Sequence, residues 1–380
     1  MLKSDAQHYD LGRSAQGKPA DTDPYVLFIE RSLDMLNDGG RLAIVLPETV
    51  FHGPSKRRIR DYISDRAAVE AVIELPHNTF RPHCNAKTCL LVARKAAPQT
   101  RVVMAAPHEM GHDHTGRVLY RRDQPQEIWD DLPQVITELD DPNDADNAFV
   151  FTADWADIDA AGHWMPRYFH ARQQPLDAQE DRYWVPLQTL EDEGVIQAWK
   201  GHGSPPATHK GQGDVPYVRV ADIVNWEIYR NPTASMPEVV FWEYTANKHT
   251  LQEGDILFVT RGSYRIGSVA MASYRDTKVI LTREIMTFRV TEPNDYGITP
   301  FYLLALLSSQ PVQDQINPMV FLDTTMPTIS DRWRELQLPI HHNVAEIAAM
   351  SGQVEEVITH KWDAQRDIET LRDALGGIVT

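Results

Sequence analysis

The 380 residues hold 37 Lys+Arg against 54 Asp+Glu, a formal net charge of -17, and 42% of them are apolar. That apolar share excludes wholesale disorder, and at about 150 residues per domain the length predicts two domains or slightly more. No stretch approaches the roughly 18–20 apolar residues of a membrane span, and MLKSDAQHYDLGRSAQGK at the N-terminus lacks the apolar core of a secretory signal.

Two cysteines, Cys84 and Cys89, argue against a disulfide scaffold and suit a reducing, cytoplasmic location. The charge is uneven: net +2 over residues 1–98, -13 over 99–195, -2 over 196–340 and -4 over 341–380. An acidic average therefore does not exclude nucleic acid, because phosphates respond to the local field.

Residues 1–24 are polar and read as coil. YVLFIERSLDMLN (25–37) predicts a helix, with Asp23 as cap, Pro24 in the first turn and Gly39-Gly40 as the stop. RLAIVLP (41–47) is a continuous apolar run, as in a strand covered on both faces. A helix near 54–66 comes next, then strands at VEAVIELP (69–76) and TCLLVARK (88–95). The alternation predicts part of an α/β sheet.

Residues 97–150 include DDLPQVITELDDPNDADN, with seven acidic residues in eighteen, and read as a solvated connector. Beyond 186, β-rich runs at 215–220, 254–260, 267–274 and 285–290 are separated by Gly, Asn and Pro turns. They suit a compact mainly-β or α+β domain, with a helix at 296–309. Residues 343–375 predict a long helix whose stripe of Ile347, Val354, Val357, Ile358, Ile368, Leu371 and Leu375 needs a partner, either intramolecular or another helix. The expected domains are thus 1–98, an acidic connector at 99–185, 186–342 and a spacer or dimerisation helix at 343–380.

Residues 39–95 carry a Gly-Gly, a strand ending Leu46-Pro47-Glu48, a basic helix and a strand ending Leu75-Pro76. Asn78-Thr79-Phe80 comes after it, and Ala86-Lys87-Thr88 opens a third strand. This order resembles the C-terminal half of the catalytic domain in the adenine-N6 DNA methyltransferases of type I restriction-modification systems. The segment at 104–120 is similar to the stretch just C-terminal to that domain in the family. GDVPYVRVADIVNWEI (213–228), GDILFVTRGSYRIG (254–267) and FLDTTMPTISDRWRELQLPI (321–340) resemble target-recognition domains of type I specificity subunits, and the helix after them resembles the spacer helix. The resemblance implies an α/β fold: a partial, Rossmann-like methyltransferase sheet, then an α+β target-recognition domain and a long C-terminal helix.

An enzyme that methylates a base extracts it from the stack, and the flipped adenine then needs an aromatic face. By resemblance that face is Phe80; the alternative is a core Phe at a loop–strand junction. Lys56, Arg57, Arg58 and Arg60 form the densest positive run, read as phosphate contacts or as a solvated helix face. Arg219, Asp222, Asn225 and Trp226 sit around one strand end, and Arg261, Ser263, Tyr264 and Arg265 in a Gly-flanked turn. Either set suits base readout, against core packing or a solvated turn. Thr324, Thr325 and Arg332 are weaker candidates for DNA contact.

No Gly-rich cofactor turn and no Asn-Pro-Pro-aromatic motif occur; Asn231-Pro232 and Asn317-Pro318 lack the rest of the motif. In the family, a segment like Tyr9-Asp10-Leu11-Gly12 lies shortly after that motif. The chain is thus expected to begin just downstream of it, with S-adenosylmethionine bound by a second polypeptide.

His112-Asp113-His114, His341-His342 and the loose set His77, His83 and Cys84 lack metal-site spacing. GHGSPPATHKGQG (201–213) lacks the ending of a phosphate loop, and no serine-hydrolase elbow appears. The expected function is one component of a site-specific adenine-N6 DNA methyltransferase in restriction-modification or phage defence. It would bind duplex DNA and a partner chain, and form a homo- or hetero-oligomer through the last helix. A non-enzymatic DNA-specificity subunit and an inactive truncated remnant remain as alternatives.

Overall fold

A computed structural model of the chain describes residues 6–14, 16–174, 176, 180–262, 264–323 and 326–376. It forms two compact units. The first comprises residues 1–174 with 321–324, and the second 175–320 with 325–380.

The first unit opens with helix α1 (Pro24–Met35), which has Pro at its start and buries Val26, Leu27, Ile29 and Leu33. Strand β1 (Arg41–Pro47), helix α2 (Glu48–His52) and helix α3 (Arg57–Ser64) come next. Then come β2 (Ala67–Glu74), β3 (Thr88–Lys95) and β4 (Arg101–Ala105). Helix α4 (Leu132–Glu138), β5 (Val150–Asp154), α5 (Trp155–Ala161) and α6 (Pro166–Gln173) complete the unit.

The sheet order is β1-β3-β2-β4-β5. Strand β3 is antiparallel to both β1 and β2, so β1 and β2 run the same way. Strand β4 is parallel to β2 and β5 antiparallel to β4. The expected boundary at residue 98 is therefore absent. Strands β4 and β5, inside the stretch read as an acidic connector, extend the same sheet, and their Val102, Met104 and Phe151 are buried. The acidic run misled because short apolar strands flank it, and because two of its acids, Asp131 and Glu138, are buried and accept backbone N–H groups of the neighbouring segments.

The expectation that β1 is covered on both faces also fails. Among the described residues β1 pairs only with β3, and Val45 is 46% exposed. On β3, Cys89, Leu91 and Ala93 are buried while Leu90 and Val92 are half-buried. One face is packed beneath helices. The other is packed only toward β4 and β5, where Val135 of α4 meets Ala105 and Val150, with Ile73 and Val103 alongside.

In the second unit, β6 (Arg182–Pro186) pairs with a late strand, Gln337–His341. A four-stranded antiparallel sheet joins β7 (Ile196–Lys200), Ile285–Val290, Ile256–Val259 and Val269–Met271. All four residues of Ile256–Val259 are buried, as a continuous apolar run predicts. Phe258, Phe288 and Trp333 stack through the core at 5.8 and 5.0 Å between centroids. The helix Pro300–Ser308 is capped by Thr299, whose hydroxyl accepts from the Tyr302 N–H at 3.1 Å.

The long helix Val344–Gly376 packs on Pro300–Ser308 through its first half, with Ile347, Val354 and Ile358 buried. The apolar stripe therefore has an intramolecular partner over that half. Val357, Ile368, Leu371 and Leu375 remain exposed. Among the described residues no helix is long and apolar enough to cross a membrane.

His202 is a buried polar tie in this unit. Its Nδ1 accepts from the Leu281 N–H at 2.9 Å, so its Nε2 donates to the His249 carbonyl at 2.9 Å. Burial, aided by the Lys248 charge, holds its pKa below 6.5. The unfolded chain therefore binds the proton first as pH falls, and this stabilisation is complete above about pH 6.5 and lost below it. His202→Gln, which keeps a donor and an acceptor, should flatten the loss of urea midpoint between pH 7.5 and 5.5. An unchanged loss would contradict the assignment.

Candidate functional site

In the first unit the chemistry gathers where β1 and β2 end and β3 begins, with Pro47 opposite Thr88 and Glu74 opposite Cys89. The loop from Leu75 to Lys87 spans this end and carries Phe80 at its tip, 40% exposed. An aromatic side chain that much in water is not core, so the buried alternative is excluded. Local bonds shape the loop: Thr79 N–H to the Pro76 carbonyl at 3.0 Å, Arg81 N–H to Asn78 at 2.9 Å and Cys84 N–H to Phe80 at 2.8 Å.

Beneath the loop lie two carboxylates. Glu48 and Glu74 have side chains 1% and 5% exposed. Lys87 Nζ stands 3.3 Å from Glu48 Oε2 and 2.9 Å from Glu74 Oε1. Arg167, at the start of α6, donates to Glu48 Oε1 at 2.8 Å and also bonds Glu74. The Leu322 N–H adds a bond to Glu48 Oε1 at 3.2 Å. Burial alone would raise the Glu48 pKa, but the Arg167 and then the Lys87 charges outweigh it and hold it down to about 2. Arg167 is pushed the other way: burial lowers its pKa, and Glu74 and Glu48 more than restore it. Below this floor Phe321 is buried, with the His52 and His163 rings 5.0 and 4.9 Å away.

Sequence reasoning missed this cluster. Glu74 ends an apolar strand and was legible only as a charge out of place. Arg167 lies 93 residues further on and gave no local signal.

The basic run does not form one patch. Arg60 is 4% exposed and donates to the carbonyls of Val50 and Gly53 at 2.9 and 3.0 Å and of Gly162 at 2.9 Å. Its reading as a phosphate contact is therefore corrected: a guanidinium buried on three carbonyls does not reach DNA. Arg58 bonds the Arg13 and Asp10 carbonyls. Lys56 sits 3.3 Å from Asp23 and 5.5 Å from the Tyr25 ring. Arg57 is 65% exposed, with Asp61 at 3.8 Å.

In the second unit the two predicted loops do meet. Arg265 Nη1 donates to the Ile223 carbonyl at 3.4 Å, and Gly262 lies against Val220. Around this junction Tyr264 is 86% exposed, Asn225 is exposed, and Arg219 is held by Asp222 at 3.1 Å. Asn225 and Trp226 take positive φ of 49° and 63°, a left-handed pair that non-glycine residues seldom adopt. Lys361 secures that turn with a 2.7 Å bond to the Asn225 carbonyl. Arg261 is half-buried, in a bridge with Thr328.

Arg332 is half-buried and donates to the Met319 and Thr328 carbonyls at 3.0 and 3.1 Å, which braces the fold. Ser263, Thr324 and Thr325 lie outside the described residues. Among those described, no group of His, Cys, Asp and Glu is placed to hold a metal ion.

Residues 3–169 match the N-6 DNA Methylase family. Within the chain, 77 residues are 31% identical to the methylase subunit of the type I restriction enzyme EcoEI from Escherichia coli, 20% of this chain and 16% of that protein. The first unit is thus similar to the methylases of restriction-modification systems.

Among solved structures, the type IIG restriction endonuclease BpuSI aligns over 87% of this chain and 44% of its own, with 12% identity and a TM-score of 0.37. The type I S subunit from M. genitalium aligns over 52% and 45%, with 17% identity and a TM-score of 0.34. These two likenesses are too weak to weigh beside the residues. The mixed α/β architecture stands on the strands and helices themselves.

Arg60→Met would leave two buried carbonyls and one half-buried carbonyl without their donor. Urea unfolding followed by far-UV circular dichroism should show a loss of about 2–4 kcal/mol at unchanged slope. A variant within about 0.5 kcal/mol of the parent would refute the bracing role.

Proposed function

We propose that this chain is one component of a site-specific adenine-N6 DNA methyltransferase of restriction-modification type. The first unit supplies the base-stacking half of the catalytic domain and the second reads DNA. The observation that carries the reading is Phe80. Within the region matching the methylase family, an exposed aromatic ring stands at the ends of two like-directed strands, on a loop tied down by buried ion pairs. A flipped base stacked on such a ring gains about 1–3 kcal/mol.

S-adenosylmethionine does not fit the residues present. Among the described residues of the first unit no strand leads straight into a Gly-rich turn, and the carboxylates beside the ends of β1 and β2, Glu48 and Glu74, are engaged with Lys87 and Arg167. In our reading the donor-binding turn and the Asn-Pro-Pro-aromatic motif are supplied from outside these residues. The edge of β1, which among the described residues pairs with no strand on its far side, supports this: with exposed Val45, and Phe28 and Met35 on α1 exposed at 61% and 73%, it invites a further strand and its cover.

This chain's own tasks are then to receive the extruded adenine against Phe80, exclude water from that face, and fix register on the duplex through Asn225, Tyr264, Arg219 and Arg265. Arg57 remains the basic-run residue best placed for a phosphate. The distal apolar stripe of the last helix supports pairing with another helix.

In the assembled enzyme, Phe80→Ala should lower methyl transfer to duplex DNA about 5- to 150-fold, the equivalent of 1–3 kcal/mol, with DNA affinity within twofold of the parent. Full transfer by the variant would end the stacking assignment. Absence of transfer from every pairing of the parent chain with a donor-binding subunit would favour a non-enzymatic specificity role.

A further inference from the structure

The tip of the Phe80 loop is bonded mostly to itself. Its ties to the sheet sit at its two ends and at one neighbouring turn, where Gly116 lies against Pro82. At the leading end the Leu75 N–H donates to the Thr88 carbonyl at 3.0 Å. At the trailing end the Glu48 N–H donates to the Lys87 carbonyl at 2.9 Å, and the Lys87 ammonium reaches both buried carboxylates. Lys87 is thus the one residue of the loop whose side chain enters the cluster below it, among the contacts described for that cluster.

The charges there balance as two carboxylates against one ammonium and one guanidinium. Arg167 already serves Glu48 and Glu74 from below, on α6. A folding requirement alone would be met by apolar residues or by one acid paired with one base, because a buried ion network is weak evidence of stabilisation. The second acid and the second base instead connect the loop to the ends of both β1 and β2.

We propose that Lys87 is the positioning residue of the Phe80 loop, fixing the place of the ring by sharing its ammonium between Glu48 and Glu74. This rests on the reading of Phe80 as the stacking surface, and its test is arranged so that the two ideas fail separately. A nitroxide label on Cys84 reports loop motion in the intact chain without any partner, since Cys84 is exposed and Cys89 is buried.

Lys87→Met alone would bury an uncompensated carboxylate and could unfold the unit. The double variant Lys87→Met/Glu74→Gln leaves Glu48 paired with Arg167 and keeps the charge balanced. In that variant the label should become more mobile. Transfer by the unlabelled protein in the assembled enzyme should fall about 10- to 100-fold, with DNA affinity within twofold. Lys87→Arg, which keeps a cation able to bridge both acids, should recover most of the rigidity and of the transfer.

An unchanged label spectrum in the double variant overturns the proposal. So does a mobile loop with undiminished transfer, or a Lys87→Arg variant as mobile as the double variant. If the parent chain shows no transfer with any partner, the methyltransferase reading falls, and the label spectra still decide whether Lys87 holds the loop.

Discussion

Four charges at one end of a sheet, two buried carboxylates and two half-buried cations, organise the first unit. Glu48 opens α2 just after β1, Glu74 closes β2, Lys87 leads into β3, Arg167 stands in the first turn of α6, and the Leu322 backbone adds a donor. Each acid would be costly without its partners, so strand ends, helix start and loop must arrive together. The depressed Glu48 pKa, at about 2, expresses that mutual dependence. The same cluster sets the floor under the loop that offers the Phe80 ring to solvent. Fold and candidate site therefore rest on one set of interactions.

The second unit meets a different constraint. The residues proposed to read DNA stand on loops, and loops need bracing before they can discriminate. The positive-φ turn at Asn225 and Trp226 is held from Lys361, Arg219 is held by Asp222, and the Gly262 turn presses on Val220. Arg332 and Arg60, candidate DNA contacts by sequence, brace backbone carbonyls in their respective units. Of the two, Arg60 is buried and Arg332 half-buried.

Much of this was legible in the sequence where the signal was local. Strand bounds at 41–47, 88–95 and 285–290 coincide with their apolar runs, and the terminal helix with its stripe. Phe80 was placed on a loop, and the structure exposes it there. The failures were non-local. The acidic stretch after residue 98 hid two strands of the same sheet, since charge density says nothing about which short apolar runs pair. The two-sided cover expected for β1 failed because helices pack on only one face of the sheet at that end, and which face is covered is not written in a strand's own residues. The Arg167 contact joins positions 93 and 119 residues apart, and no spacing rule reaches so far.

The central claim is that an extruded base comes to rest on Phe80. The most direct measurement places 5-iodouracil at the target-adenine position of a duplex, irradiates it with the assembled enzyme, and identifies the attached peptide by mass spectrometry. The account predicts attachment at Phe80, within the segment 76–87. Attachment elsewhere in the chain, or only to the donor-binding subunit, would contradict it.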